Sequence, residues 1–160
     1  GIAVMSFDIR GYRSSDLAGL IALFRETVRT INGRDYSDQQ VQAWAPDVID
    51  PRQWMQRFQT KAVRVAELDG APVGFVALAR DGQIDMLYVH VDHQGQGIAS
   101  ALLRSAEAWA RTRGLARLFT EATITARPFF ERRGFRVIAP HRVVRRALEF
   151  INYRMDKLLG

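Results

Sequence analysis

The stretch Ile84-Asp85-Met86-Leu87-Tyr88-Val89-His90-Val91-Asp92-His93-Gln94-Gly95-Gln96-Gly97-Ile98-Ala99-Ser100-Ala101-Leu102-Leu103 constrains the chain more than any other. It begins as an apolar strand, turns through a glycine-rich loop and leaves as a helix. Such a loop presents successive backbone N–H groups with no side chain in the way. The helix behind it adds the positive end of its dipole, so the pair forms an anion cradle of the kind that holds phosphate. The loop lacks the Lys-Ser or Lys-Thr that closes a P-loop, which argues against a nucleotide triphosphatase. It also lacks the third glycine of a dinucleotide fingerprint and the acidic residue on a second strand that accompanies it.

The rest of the chain supplies the elements around that unit. Ser6 to Arg13 alternates Phe7 and Ile9 with Asp8 and Arg10 and reads as a first strand. Ser14, Ser15 and Asp16 offer a cap to a helix whose apolar face is Leu17, Leu20, Ile21, Phe24, Val28 and Ile31, stopped by Asn32-Gly33. Ser37 caps a second helix, Asp38 to Ala45, which Pro46 ends, and Pro51 starts a third through Trp54 and Phe58. Trp44, Trp54 and Phe58 read as core residues, with a pocket wall as the other reading.

Three strands follow, Val63 to Leu68, Val73 to Ala79 and Ile84 to Val91, joined by Asp69-Gly70 and Asp81-Gly82. Asp-Gly between apolar runs is a hairpin pattern. The third strand is apolar on both faces, as a central strand covered on both sides should be. A helix from Gly97 to about Arg113 leads to a strand over Leu115 to Glu121, which a crossover places parallel to the Ile84 strand. A short helix, Ala126 to Arg133, and two last strands, Arg136 to Val144 and Glu149 to Lys157, complete the order.

Composition excludes several functions. The 160 residues suit one domain, expected over 6–157, and contain no cysteine, so disulfides, thiolate metal sites and a cysteine nucleophile are absent. His90, His93 and His141 are the only histidines, and His90 and His93 read as a solvated loop pair rather than metal ligands. No apolar run approaches the ~20 residues that a bilayer span needs. No leader pattern precedes the first strand, so the expected location is the cytoplasm. Gly1 to Met5 read as a disordered lead or an expression remnant, with Met5 the native start. The net charge of +6 comes from scattered arginines without a long basic run or aromatic–basic interleaving. A solvated surface, or attraction of a polyanionic cofactor, fits better than nucleic acid.

Gln94-x-x-Gly97-x-Ala99 resembles the pyrophosphate-binding signature Gln/Arg-x-x-Gly-x-Gly/Ala of the GNAT superfamily of N-acetyltransferases. A second stretch, Thr123 to Phe135, is similar to that family's Asn-x-x-Ala-x-x-Phe-Tyr-x-x-x-Gly-Phe. Ala126, Phe129, Gly134 and Phe135 agree with it, Thr123 replaces the Asn and Phe130 replaces the Tyr. The segment Tyr153 to Leu158 resembles the family's last strand. The likeness runs from Phe7 to Lys157, weakest in the helices before Val63. It implies an α/β fold with a mixed, mostly antiparallel seven-stranded sheet, helices on both faces, and a splay between two central parallel strands.

The same resemblance implies acetyl transfer from acetyl-CoA to a primary amine of a small molecule or protein. The amides of Gln94, Gly95, Gln96, Gly97, Ile98, Ala99 and Ser100 would hold the pyrophosphate. Backbone groups of Leu87, Tyr88 and Val89, freed by a bulge in the fourth strand, would bond the pantetheine arm. Thr123, Phe129 and Phe130 would complete the cofactor wall. A lysine-like amine, with a pKa near about 10.4, arrives protonated and needs a base. Asp85 is the first candidate, raised by apolar neighbours; its structural alternative is a strand-start carboxylate bonded to the preceding turn. Glu67, Glu121 and a histidine are the others. Phe130 cannot serve as general acid, which leaves Tyr153, Tyr88 or none. Two further readings compete: an acyl-CoA-binding or sensing module with little catalysis, and a basic nucleic-acid-binding domain. Homodimerisation through edge strands is compatible with the pattern.

Overall fold

A computed structural model describes residues 6–160; the expectation for Gly1 to Met5 lies outside them. In chain order the elements are β1 (Asp8–Gly11), α1 (Leu17–Thr30), α2 (Asp38–Trp44), α3 (Pro51–Gln59), β2 (Lys61–Leu68), β3 (Ala71–Ala79), β4 (Gln83–Val89), α4 (Ile98–Thr112), β5 (Arg117–Ala122), α5 (Arg127–Arg132), β6 (Arg136–Arg145) and β7 (Leu148–Leu158). They form a seven-stranded sheet in the order β1-β2-β3-β4-β5-β7-β6. Every neighbouring pair is antiparallel except β4 and β5, which are parallel.

Local chemistry fixes the helix starts. The Ser37 hydroxyl accepts from the Gln40 N–H at 3.1 Å while the Gln40 side chain accepts from the Ser37 N–H at 3.0 Å, a reciprocal cap on α2. The Asp50 carboxylate accepts from the Arg52 N–H at 2.9 Å and Pro51 opens α3. The start of α1 differs from expectation: Ser14–Asp16 form a 3-10 turn, and Asp16 gives α1 no side-chain cap. Its carboxylate is instead gripped by Arg10, at 2.8 and 2.9 Å, and accepts from the Arg13 N–H. A charge-assisted fork from Arg10 and a backbone N–H hold the buried carboxylate more strongly than an exposed cap site would.

Side-chain alternation along the strands divides the core in two. Phe75, Ala77 and Met86 join Leu20, Phe24, Val28, Trp54 and Phe58 on the face covered by α1 and α3. Val76, Leu78, Ile84 and Val89 join Ile98, Leu102, Leu118, Phe130 and Met155 on the opposite face, covered by α4 and α5. Gly74 permits that second layer to close. A Cβ there would meet the Tyr88 carbonyl oxygen at 3.0 Å, Ile98 at 3.1 Å and Leu102 at 3.2 Å, so α4 presses directly on β3.

Candidate active site

β4 and β5 stay paired only at Gln83↔Phe119 and Ile84↔Thr120. Beyond that point they separate. On its other side β4 remains paired with β3, where the register slips between Leu78↔Ile84 and Ala77↔Met86, so Asp85 is the extra, bulged residue. The Thr120 hydroxyl donates to the Ile84 carbonyl at 3.0 Å and pins the vertex of the opening. The bulge therefore precedes Leu87, Tyr88 and Val89 rather than falling among them.

Alternation then decides which backbone groups are free. The His90 N–H donates to the Val73 carbonyl at 2.8 Å. Counting back by two along an antiparallel ladder, the Tyr88 N–H and C=O also serve β3. Those of Leu87 and Val89 point to the edge that β5 has left. One of these groups is already engaged: the Val89 carbonyl accepts from the Thr27 hydroxyl at 3.1 Å and from the Gln94 side chain at 2.6 Å. Gln94 thus braces the glycine loop against the end of β4. Of the three residues expected to offer backbone groups to a cofactor, Leu87 and Val89 turn theirs to the open edge, whereas those of Tyr88 are taken up by β3 and its side chain lines the cavities.

β4 ends at Val89, two residues earlier than expected, because Val91–His93 close a 3-10 turn capped by the His90 ring nitrogen. The loop that follows has φ of +74° at Gly95 and +84° at Gly97, values that side chains resist. A Cβ at either position would meet nothing within 4 Å, so the space above the loop is open. At the start of α4, the Ser100 hydroxyl accepts from Arg133 at 2.9 and 2.6 Å. The same guanidinium lies 3.8 Å from the Phe129 ring centroid. No acid pairs with Arg133 among the described residues, and burial together with Arg132 and Arg104 lowers its pKa. A cation held beside a helix N-terminus and short of a counter-ion suits a phosphorylated ligand. Sequence reasoning passed over Arg133, although its place one residue before Gly134 in the second motif was visible.

Two cavities meet at the split. The first, of about 210 Å³, is lined by Leu87, Val89, Gln94, Ala99, Phe129 and Phe130, among others. Phe130 is buried against Phe129 and Phe135 and forms wall only. The second, of about 340 Å³, lies toward α2 and α3, with Phe24, Trp44, Trp54 and Phe150 as aromatic walls. Trp44, Asp85, Tyr88, Glu121 and Thr123 border both. Trp54 thus serves core and cavity together, whereas Phe58 is core alone.

The proposed acid–base residues are placed unequally. Asp85 is not a lone carboxylate among apolar neighbours: Arg57 donates to both its oxygens, at 2.6 and 2.8 Å, and Lys61 stands at 3.9 Å. Glu121, on β5 across the opening, has one oxygen against His141 Nδ1 and 3.5 Å from Arg154 Nε. Glu67 belongs to an ion triad with Arg10 and Asp16 near β1. Burial pushes the Tyr88 phenol above its ordinary range, with the charges of Arg57 and Arg145 pulling the other way. Tyr153 borders neither cavity; its ring lies 4.4 Å from the Arg127 guanidinium. Tyr36, which no sequence pattern marked, accepts from the Ile124 N–H at 2.9 Å and fixes the turn beside Thr123. Thr123 itself accepts from the Ala126 N–H at 3.1 Å, an N-terminal turn cap that an Asn would also supply.

Comparison with known proteins agrees with this geometry. The family model for the acetyltransferase (GNAT) domain matches residues 32–157. An uncharacterized N-acetyltransferase of Escherichia coli K12, YafP, is 36% identical over 150 residues, covering 94% of this chain and 95% of its own. A GCN5-related N-acetyltransferase structure from Rhodopseudomonas palustris superposes with a TM-score of 0.93 at 33% identity, covering 99% of this chain and 100% of that one. The fold is also that of the PaiA N-acetyltransferase of Thermoplasma acidophilum, solved with coenzyme A, at a TM-score of 0.80, 20% identity and coverage of 97% and 100%. The chain belongs to the GNAT superfamily of acetyl-CoA-dependent N-acetyltransferases.

Proposed function

We propose that the first cavity takes the pantetheine arm of acetyl-CoA and the second takes a small primary amine, the two meeting between Asp85 and Glu121. The observation that carries this reading is the early parting of β4 and β5, which leaves the Leu87 backbone and the Val89 N–H without a strand partner at the mouth of the glycine loop. The whole reading rests on one domain over 6–157.

The cosubstrate supplies an activated acetyl group and a thiolate leaving group. The chain's part is to hold, orient and move a proton. The open N–H groups of Gly95 to Ser100 and the Arg133 guanidinium hold the pyrophosphate end. The Val89 N–H, on the open edge, is aimed where a thioester oxygen would gain charge. Glu121 takes the role of base in this reading, in place of Asp85. Both Asp85 oxygens are committed to Arg57, whereas Glu121 keeps one oxygen free at the junction. His141 and Arg154 stand beside the other oxygen.

Tyr88 contributes a hydrogen bond to the leaving sulfur. A phenol raised by burial loses its proton less readily than a thiol of pKa about 8.5 gains one, so full transfer is uphill. Much of the acceleration then comes from juxtaposing amine and thioester.

Unfolding with and without acetyl-CoA tests the first half. At one hundred times its dissociation constant a ligand adds about 2.7 kcal/mol, worth roughly 5–10 °C for a domain of this size. Release of free thiol in the presence of an amine tests the second half. Thiol release also separates an enzyme from a module that only binds acyl-CoA.

A further inference from the structure

The acceptor cavity carries charge that its own fold does not use. Most arginines around it are paired: Arg57 with Asp85, Arg142 with Glu149, and Arg154 with Glu121. Arg145 and Arg146 line the cavity and, among the described residues, have no carboxylate within 4 Å. The remaining acid of the lining, Asp50, caps α3 by accepting from the Arg52 N–H. Arg145 is close enough to the floor for its charge to act on the Tyr88 phenol.

The way these arginines are displayed is a second, independent observation. Arg145 pairs with Leu148, and the intervening Arg146 and Ala147 have φ of +49° and +65°. That is a two-residue hairpin turn in which both central residues are left-handed, positions that Asn-Gly fills at no steric cost. An arginine and an alanine hold it against strain. Such strain persists where the surrounding structure over-determines it, and it clusters at ligand-binding sites. Here it sets the backbone of a turn whose two arginines line the same cavity as the Asp85 and Glu121 carboxylates.

We infer that the acceptor is a small amino acid-like molecule, an amine that also carries an oxyanion, and that Arg145 and Arg146 bind that oxyanion. The inference rests on the reading of the second cavity as the acceptor site. The amine faces Glu121 and Asp85 at the junction with the cosubstrate cavity. The oxyanion faces the hairpin turn, and Trp44, Trp54 and Phe150 cover the apolar part between. A cavity of about 340 Å³ has room for a molecule of this size. Guanidinium forks match a carboxylate or a phosphonate equally well, so the shared oxyanion is the chemistry assigned.

The test is a set of matched amines that differ in the oxyanion alone: tryptophan against tryptamine, phenylalanine against phenethylamine, 4-aminobutyrate against butylamine, and 3-aminopropylphosphonate against propylamine. Thiol release from acetyl-CoA gives kcat/KM for each, and calorimetry on the CoA-loaded protein gives affinity where turnover is slow. The expected result is a preference of about ten-fold or more for the anionic member of at least one pair, expressed in KM, as hydrogen bonds to charged groups deliver. The carboxylate and phosphonate arms show which oxyanion is favoured. The double substitution Arg145→Gln, Arg146→Gln should bring that ratio close to one. Arg145→Lys, Arg146→Lys should restore part of it, which a purely structural role would not do. Equal or better use of the neutral member in every pair, in both turnover and binding, overturns the inference, as does a ratio unchanged in the double glutamine variant. Failure of acetyl-CoA to raise the unfolding midpoint is a different outcome and removes the underlying function instead.

Discussion

The two sides of the opening between β4 and β5 are built from different materials. The side proposed for the cosubstrate is mostly backbone: open N–H groups from Gly95 to Ser100, the edge of β4 at Leu87 and the Val89 N–H, and a buried phenylalanine wall. The side proposed for the acceptor is mostly side chain, with aromatic rings from α1, α2, α3 and β7 and charges from α3, β4, β5 and the β6–β7 turn. A main-chain site suits a ligand that stays the same across many enzymes, because glycines and a strand end specify it. A side-chain site can be rewritten one residue at a time without disturbing the sheet.

Substitutions on each side should therefore separate catalysis, cosubstrate binding and stability. Glu121→Gln has the largest expected effect. It should lower kcat by about a hundred-fold or more, the range for loss of a general base, with acetyl-CoA affinity little changed. Its acidic limb should vanish from the pH–rate profile, and Asp85→Asn should keep that limb. The reverse pattern would return the role to Asp85.

A charge group outside both cavities provides the contrast in stability. Hydrogen bonds from Arg10 hold the Asp16 carboxyl below its usual range against the opposing effect of burial, with the Arg13 N–H adding to the pull. A lowered folded value means that this stabilisation is complete above the unfolded pKa of about 3.9 and fades as pH falls through the folded one. Asp16→Asn leaves Arg10 partly buried without its main partner. About 3 kcal/mol should be lost in urea titrations at neutral pH, and the difference from the parent protein should shrink under acid.

Next in size is Gly97→Val. Its φ of +84° and the open space above it mean that the substitution strains the loop and fills the cradle. Acetyl-CoA should bind about a hundred-fold more weakly by calorimetry, a loss of roughly 2.7 kcal/mol. The acceptor cavity should be unaffected. The smallest effect concerns the hairpin turn. Ala147→Gly relieves one left-handed residue and should raise stability by about 1 kcal/mol. It should also loosen Arg145 and Arg146, so the KM of an anionic acceptor rises slightly while the protein becomes more stable.

The same difference in material explains what could be read from the sequence. Gly95 and Gly97 between an apolar strand and Ala-Leu-Leu announce a loop geometry on their own, and the loop stands where that pattern put it. The run β2-β3-β4-β5 followed from two Asp-Gly hairpins and one crossover. The acceptor side had no such short-range code. Arg57 meets Asp85 across 28 positions, and Glu121 meets His141 across 20. A sequence pattern has no access to pairings that only the closed sheet creates. Asp85 looked like a lone carboxylate in an apolar strand because its partner lies on a different element. Tyr153 looked available because the strand's facing direction is set by its register with Ala122, which places the ring beside Arg127 instead.

The short contact between β4 and β5 has a mechanical consequence. Two residue pairs are the whole ladder joining the four strands β1 to β4 to the three strands β5, β7 and β6. The sheet is two plates on a narrow hinge, with the gap widening toward the loop end of β4. A ligand lying in that gap acts as a clasp across the plates. Amide hydrogen exchange on the facing edges of β4 and β5 should slow when acetyl-CoA is added, while exchange in β2 and β3, already locked by full ladders, should hardly change.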